Sequence, residues 1–289
     1  MHPRQPREPA LHALSSRTVL VLSAFALPAL AQEAGGYSAG PGLTPPDYRT
    51  EVISYRPSPP DTQVREFTVS RFWRIDPGRY AVELWLQTDY EKHGAGSDST
   101  LKAELEIGLS SHIQLDLYLN FGWATGVSFD YQGTAIEMRY SIASVYNAIS
   151  WNPVLYFEFI TNKNAQDRAE FRLLAGGDLP WGGLWAANFF AESNIDYFNE
   201  PYSNGADAEI GVTASANFPV VRDCLRLGAE LRTGVDQHGT PTFYGVLQIG
   251  PELLLTYRPA NLKLTASALF GVCSKDPLVR LYLIAGWLW

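Results

Sequence analysis

The chain has little of what most protein classes depend on. Two of its 289 residues are cysteine, too few for a disulfide scaffold. Bases are outnumbered, 22 Lys and Arg against 30 Asp and Glu for a net charge of −8, which argues against nucleic acid as a partner because that binding rests on clustered bases facing phosphates. No run of 18 apolar residues occurs, so no transmembrane helix is expected. No CxxC, HExxH or phosphate-cradling glycine motif is present, and neither a metal nor a cofactor is expected. With 46% hydrophobic and 18% charged residues, the composition also excludes disorder and coiled coil.

The first segment reads as a targeting signal. Arg4, Arg7 and Arg17 precede an apolar stretch from Val19 to Leu30, closed by the small-x-small pattern Ala29-Leu30-Ala31. Residues 1–31 are therefore expected to be a cleaved signal peptide. Residues 32–77 are expected to begin as a periplasmic Pro/Gly-rich tail with Pro45-Pro46 and Pro59-Pro60. They end in a short alternating stretch, Arg65 to Trp73, expected to be an extra strand or a lid over one end of the domain that follows.

From residue 78 to Trp289 the pattern has period two. Ile113, Leu115, Leu117, Leu119, Phe121 and Trp123 share one face, opposite His112, Gln114, Asp116, Tyr118 and Asn120. Residues 100–109 alternate in the same way, and only Ser110-Ser111 separates the two stretches, as in a tight hairpin. About twelve such strands are expected, near 79–90, 100–109, 112–123, 133–142, 152–161, 168–176, 183–193, 207–217, 224–234, 242–256, 261–272 and 279–289. Their length matches a tilted bilayer crossing. Ionisable groups at mid-strand and tryptophans near strand ends favour an all-β, antiparallel transmembrane barrel over a soluble sandwich. Connections alternate in length, with one exception, the long inward turn Ser144 to Trp151. Cys224 and Cys273 fall at opposite ends of this barrel, too far apart for a disulfide.

The C-terminal run Leu281-Tyr-Leu-Ile-Ala-Gly-Trp-Leu-Trp289 resembles the terminal strand of bacterial outer-membrane β-barrel proteins. The resemblance implies an outer-membrane location in contact with lipid, and reading by the barrel-assembly machinery of an assembly signal that includes Tyr282, Trp287 and Trp289. The run Lys102 to Leu117 is also similar to a hairpin in a family of outer-membrane transporters associated with phenol meta-pathway degradation.

On the expected registers the lumen gathers Glu83, Glu104, Glu106, Asp116, Glu137, Glu170, Glu209 and Glu230 with Lys102, Arg139, Arg168, Arg172, Arg226, Arg232, Lys263 and Arg280. Such groups either bias which small solutes pass or fill the lumen as cross-strand ion pairs. A solute channel is the leading expectation. A closed structural or adhesion barrel acting through its loops, including the aromatic loop Asn194 to Gly205, is the alternative. A barrel enzyme using His93 or His238 beside loop acids comes third. His112 adjoins Ser110-Ser111, but local adjacency is poor geometry for a catalytic triad.

Overall fold

The computed structural model describes residues 65–289 except Ala95, Asn164, 196–207 and 238–243. The expected signal peptide and tail before residue 65, His238 and the aromatics Tyr197, Phe198 and Tyr202 lie outside the described residues.

The alternating stretches form twelve strands: β1 (Tyr80–Tyr90), β2 (Ser97–Gly108), β3 (Ile113–Ala124), β4 (Val127–Ser141), β5 (Val154–Asn162), β6 (Asp167–Asp178), β7 (Leu184–Ile195), β8 (Ala208–Val221), β9 (Leu225–Gln237), β10 (Tyr244–Tyr257), β11 (Leu262–Gly271) and β12 (Val279–Leu288). Each pairs antiparallel with the next, and β12 returns to β1 to close the barrel. Closure leaves no sheet edge unpaired. At the seam Ala81 lies opposite Leu288 and Tyr90 opposite Val279.

The outward face is apolar. Leu84, Leu119, Ile136, Met138, Phe157, Phe189 and Leu283 are all exposed there, while Glu83, Glu104, Asp116, Glu137 and Arg139 are buried on the inward face. A soluble barrel would show the opposite arrangement, so the pattern is that of a barrel bathed in hydrocarbon. Trp151 and Trp181 project from turns at the end carrying Tyr80 and Leu288, hereafter the terminal end.

Two expectations need correction. The outward loop expected between Ala124 and Gly133 is a two-residue turn, Thr125-Gly126, because β4 starts at Val127. Stacking of Phe121 on Phe129, with ring centroids 5.2 Å apart, and the tilted contact of Trp123 with Phe129 at 5.6 Å extend the hairpin past the bulge at Asn120/Phe121. Residues 65–76 form neither an extra strand nor a lid. All twelve are buried and run inside the barrel.

That inner segment is a belt. From Asp76 at the terminal end it passes along the inner wall to β7, β8, β9 and β11 and comes back to β1 at Arg65. Its backbone takes side-chain partners on the way. The Ile75 N–H donates to Gln114 Oε1 (2.7 Å), Arg71 N–H to Asn188 Oδ1 (2.9 Å), Thr68 N–H to Glu230 (2.6 Å) and Arg65 N–H to Glu83 (3.1 Å). Lumen carboxylates and amides thus replace the ladder partners that a buried, non-strand backbone lacks. Phe67, Phe72 and Trp73 pack with Tyr146, Val154, Tyr156, Leu174, Leu184 and Ala186, and Ile75 packs with Ala81 and Leu288.

Glycines admit the belt to the wall. A Cβ on Gly176 would lie 2.4 Å from the Phe72 side chain, and one on Gly108 would lie 2.1 Å from the Asp76 carbonyl oxygen. The long turn between β4 and β5 follows from the same packing. Its Ser144 carbonyl accepts from Arg74 (2.8 Å), and its Tyr146 ring sits edge-on to Trp73 at 5.4 Å, clamping the belt.

Candidate functional site

The strand registers turn every charged residue expected in the lumen inward, and they sort into two levels. At belt level lie Glu83, Glu104, Glu106, Asp116, Glu137, Arg139, Glu230 and Lys263. Registers Glu83↔Glu104, Glu106↔Asp116 and Asp116↔Glu137 stack five acids on four adjacent strands. This concentration would repel itself without countercharge. Arg139 supplies part of it, at 2.9 Å from Asp116, 3.7 Å from Glu104 and in contact with Glu137. The belt supplies the rest. Arg71 pairs with Glu106 and lies 3.7 Å from Glu83, while Arg65 lies 3.4 Å from Glu83.

The carboxylate oxygens of Glu83, Glu104 and Glu106 lie within 4.8 Å of one another, as do those of Glu104, Asp116 and Glu137. Spacing of this kind suits a cation, and guanidinium groups already occupy that role in both sets. Tyr118 donates to Glu104 (2.7 Å) and to Glu137, tying the acids together. Across the lumen, Glu230 accepts from the Thr68 and Val69 N–H groups and from the Thr68 hydroxyl, and Lys263 pairs with Glu66.

Beyond the belt, away from the terminal end, lies a cavity of about 620 Å³. Arg65, Thr68, Val69 and Arg71 form its floor. Its wall carries Arg172 bidentate on Glu170 (2.8 and 3.0 Å), Arg280 bidentate on Asp89 (2.7 and 2.6 Å), Arg232 on Glu209 and Arg168 on Glu192. Lys102 stands on the same wall as Glu158. Guanidinium groups lie over aromatic faces: Arg65 is 3.7 Å from the Trp85 ring, Arg172 5.1 Å from Tyr156, and Arg232 5.7 Å from Phe190. Chemically this is a polar vestibule whose charges are mostly paired, with aromatic faces between them.

Arg226 lies on the other side of the belt, donating to Asn217 Oδ1 (2.8 Å) and to the Gly182 carbonyl (2.6 Å). Of the three residues assigned to the assembly signal, Trp287 and Trp289 share the outward parity of β12. Tyr282 has the opposite parity and lines the vestibule. Glu158, Glu192 and Glu252 belong to the lumen set as well, and their two-residue spacing from Tyr156, Phe190 and Leu254 is the signal that places them there.

His112 stacks on Tyr140 at 5.6 Å and its Nδ1 meets the Ser141 carbonyl oxygen (2.7 Å), while Ser110 Oγ accepts from the His112 backbone N–H. These contacts close the β2–β3 turn and tie it to the end of β4. The backbone of His93 lies in the short turn Lys92–Gly94. Cys224 and Cys273 are free thiols at opposite ends of the barrel. At the terminal end Tyr146 donates to Asp178 (3.2 Å), and burial together with that carboxylate holds its phenol above the ordinary range.

No protein-family model matches the chain, and no curated protein matches it. Among solved structures it is similar to an outer membrane channel from Pseudomonas putida F1, with TM-score 0.53 and 12% identity over 78% of this chain and 100% of that one. It is also similar to the NanC porin, with TM-score 0.50 and 10% identity over 72% of this chain and 98% of that one. At these identities the likeness is one of fold, and the fold is that of the outer-membrane β-barrels.

Proposed function

We propose that this chain is an outer-membrane channel for small solutes whose own residues 65–76 close the lumen in the conformation described. One observation carries the reading: the barrel interior holds a polar cavity of about 620 Å³ that ends on the belt, where a purely structural barrel would fill that space with packed side chains. The apolar outward face supports a bilayer location. Export through the 1–31 signal, and recognition of Trp287 and Trp289 by the assembly machinery, belong to the same reading. The likeness of residues 102–117 to a transporter hairpin agrees with it and assigns no solute.

Single-channel recording on the refolded mature protein in a planar bilayer tests it. Discrete conductance steps are the expected result. A correctly folded barrel that stays silent, both as wild type and with the belt loosened by Phe67→Ala, would overturn the channel reading in favour of a structural barrel.

A further inference from the structure

The two halves of the belt rest on different walls. Phe72, Trp73 and Ile75 are seated in apolar clusters formed mainly by β5, β6, β7 and the terminal-end turn that carries Tyr146. Arg74 is tied to Ser141 (2.8 Å) and to the carbonyls of Ser111 and Ser144. Residues 65–70 instead face β8, β9, β11 and β1 mainly through polar groups, Phe67 and Val69 being the apolar exceptions. Ser70 meets Thr213 (2.9 Å) and Ser215 (2.8 Å), Thr68 meets Glu230 and Ser267 (2.5 Å), and Glu66 meets Lys263.

We infer that residues 65–70 are the moving leaf of a gate, that residues 71–76 are its fixed anchor, and that Phe67 is the latch between them. The inference rests on the channel reading above. Lifting the leaf gives up hydroxyl and carboxylate hydrogen bonds that water replaces at small net cost, together with the Arg65–Glu83 and Glu66–Lys263 pairs, whereas lifting the anchor would expose Phe72, Trp73 and Ile75 and also strip Arg71 from Glu106. The leaf borders the vestibule directly, through Arg65, Thr68 and Val69. The wall it would uncover suits a solute path: Thr213, Ser215, Asn217, Glu230 and Glu252 are inward-facing and polar, and they lead from the vestibule towards Arg226 at the terminal end. Phe67 is fully buried and belongs to the same cluster as Phe72 and Trp73, so it opposes the opening that the polar contacts permit.

A reversible cross-link tests the inference. Ser70 and Ser215 are replaced by cysteine in a protein also carrying Cys224→Ser and Cys273→Ser, the two hydroxyls being 2.8 Å apart. Disulfide formation is verified by mass spectrometry, and single channels are recorded before and after dithiothreitol. The oxidised protein is expected to lose open probability at least about tenfold and to regain it on reduction. Phe67→Ala is expected to raise open probability by about tenfold, the equivalent of losing part of one buried aromatic. Unchanged conductance with the disulfide in place overturns the gate while leaving the channel standing. Where no disulfide forms, Phe67→Ala decides alone, and an unchanged open probability overturns the gate. Silence of wild type and Phe67→Ala alike overturns both readings.

Discussion

Arg71 and Glu106 join opposite walls of the barrel. The Arg71 backbone hangs from Asn188 on β7, and its guanidinium pairs with Glu106 on β2, which lies nearly half the circumference away. The relay Asn188–Arg71–Glu106 therefore crosses the lumen like a spoke. It neutralises acids that would otherwise face one another in a region of low dielectric.

Removing that spoke leaves Glu106 and Glu83 short of countercharge. Arg71→Ala is expected to destabilise the barrel by about 3–5 kcal/mol, the usual cost of stripping one partner from a buried pair. The loss reads as a lower midpoint in urea unfolding followed by tryptophan fluorescence. Arg71→Met, which keeps the volume and not the charge, should show a similar loss.

The wall glycine under Phe72 gives a second handle. In Gly176→Ala the new Cβ would sit 2.4 Å from the Phe72 side chain and 2.5 Å from the Trp185 carbonyl oxygen. The anchor is expected to shift, with a stability loss of about 1–3 kcal/mol as for other overpacked sites. Faster proteolysis within residues 65–76 of the folded barrel checks it.

The clamp titrates in a defined direction. Because burial and Asp178 hold the Tyr146 phenol above its reference value of 10.0, the unfolded chain loses this proton first. The stability Tyr146 carries is complete below that reference and falls as pH rises through and beyond it. Unfolding midpoints measured from pH 8 to 11 should decline less steeply in Tyr146→Phe than in wild type.

The two thiols report orientation. A membrane-impermeant maleimide on intact cells is expected to label Cys273 and to spare Cys224, which reacts only once the outer membrane is opened, although Cys224 is the more exposed of the two. The reverse order would invert the barrel in the membrane.

Selectivity should respond to the vestibule pairs. Arg232→Ala frees the Glu209 carboxylate on the cavity wall, and under a salt gradient the reversal potential is expected to move towards cation preference. An unchanged potential would mean that the ion path avoids this wall.

How much of this was legible in the chain divides along physical lines. Lys102, Glu104 and Glu106 alternate with Leu101, Ala103 and Leu105 because the two faces of each strand meet different surroundings, so strand count, parity and lumen charges can be read locally. The belt cannot. Its alternation resembles a strand, but Thr68 is fixed by Glu230, 162 positions away, and Arg65 by Thr265, 200 away. No local pattern encodes partners so distant. The one irregularity visible beforehand, the overlong turn Ser144 to Trp151, marks the place where the fold departs from a simple meander, because that turn grips Trp73 and Arg74. The hairpin extension at Val127 was hidden for another reason, since Gly133 and Asp130 read as loop residues until Phe129 stacks on Phe121.

The belt also bears on how the barrel is built. The seam joins the first and last strands, pairing residues about 200 positions apart, and closures of that kind are slow because the loop entropy must be overcome before any contact rewards it. Residues 65–68 touch both flanks of the seam at once, Glu83 on β1 and Lys263, Thr265 and Ser267 on β11. The segment thus bridges β1 and β11, the two strands on either side of β12, from inside the barrel, and ties together the walls that closure must bring side by side.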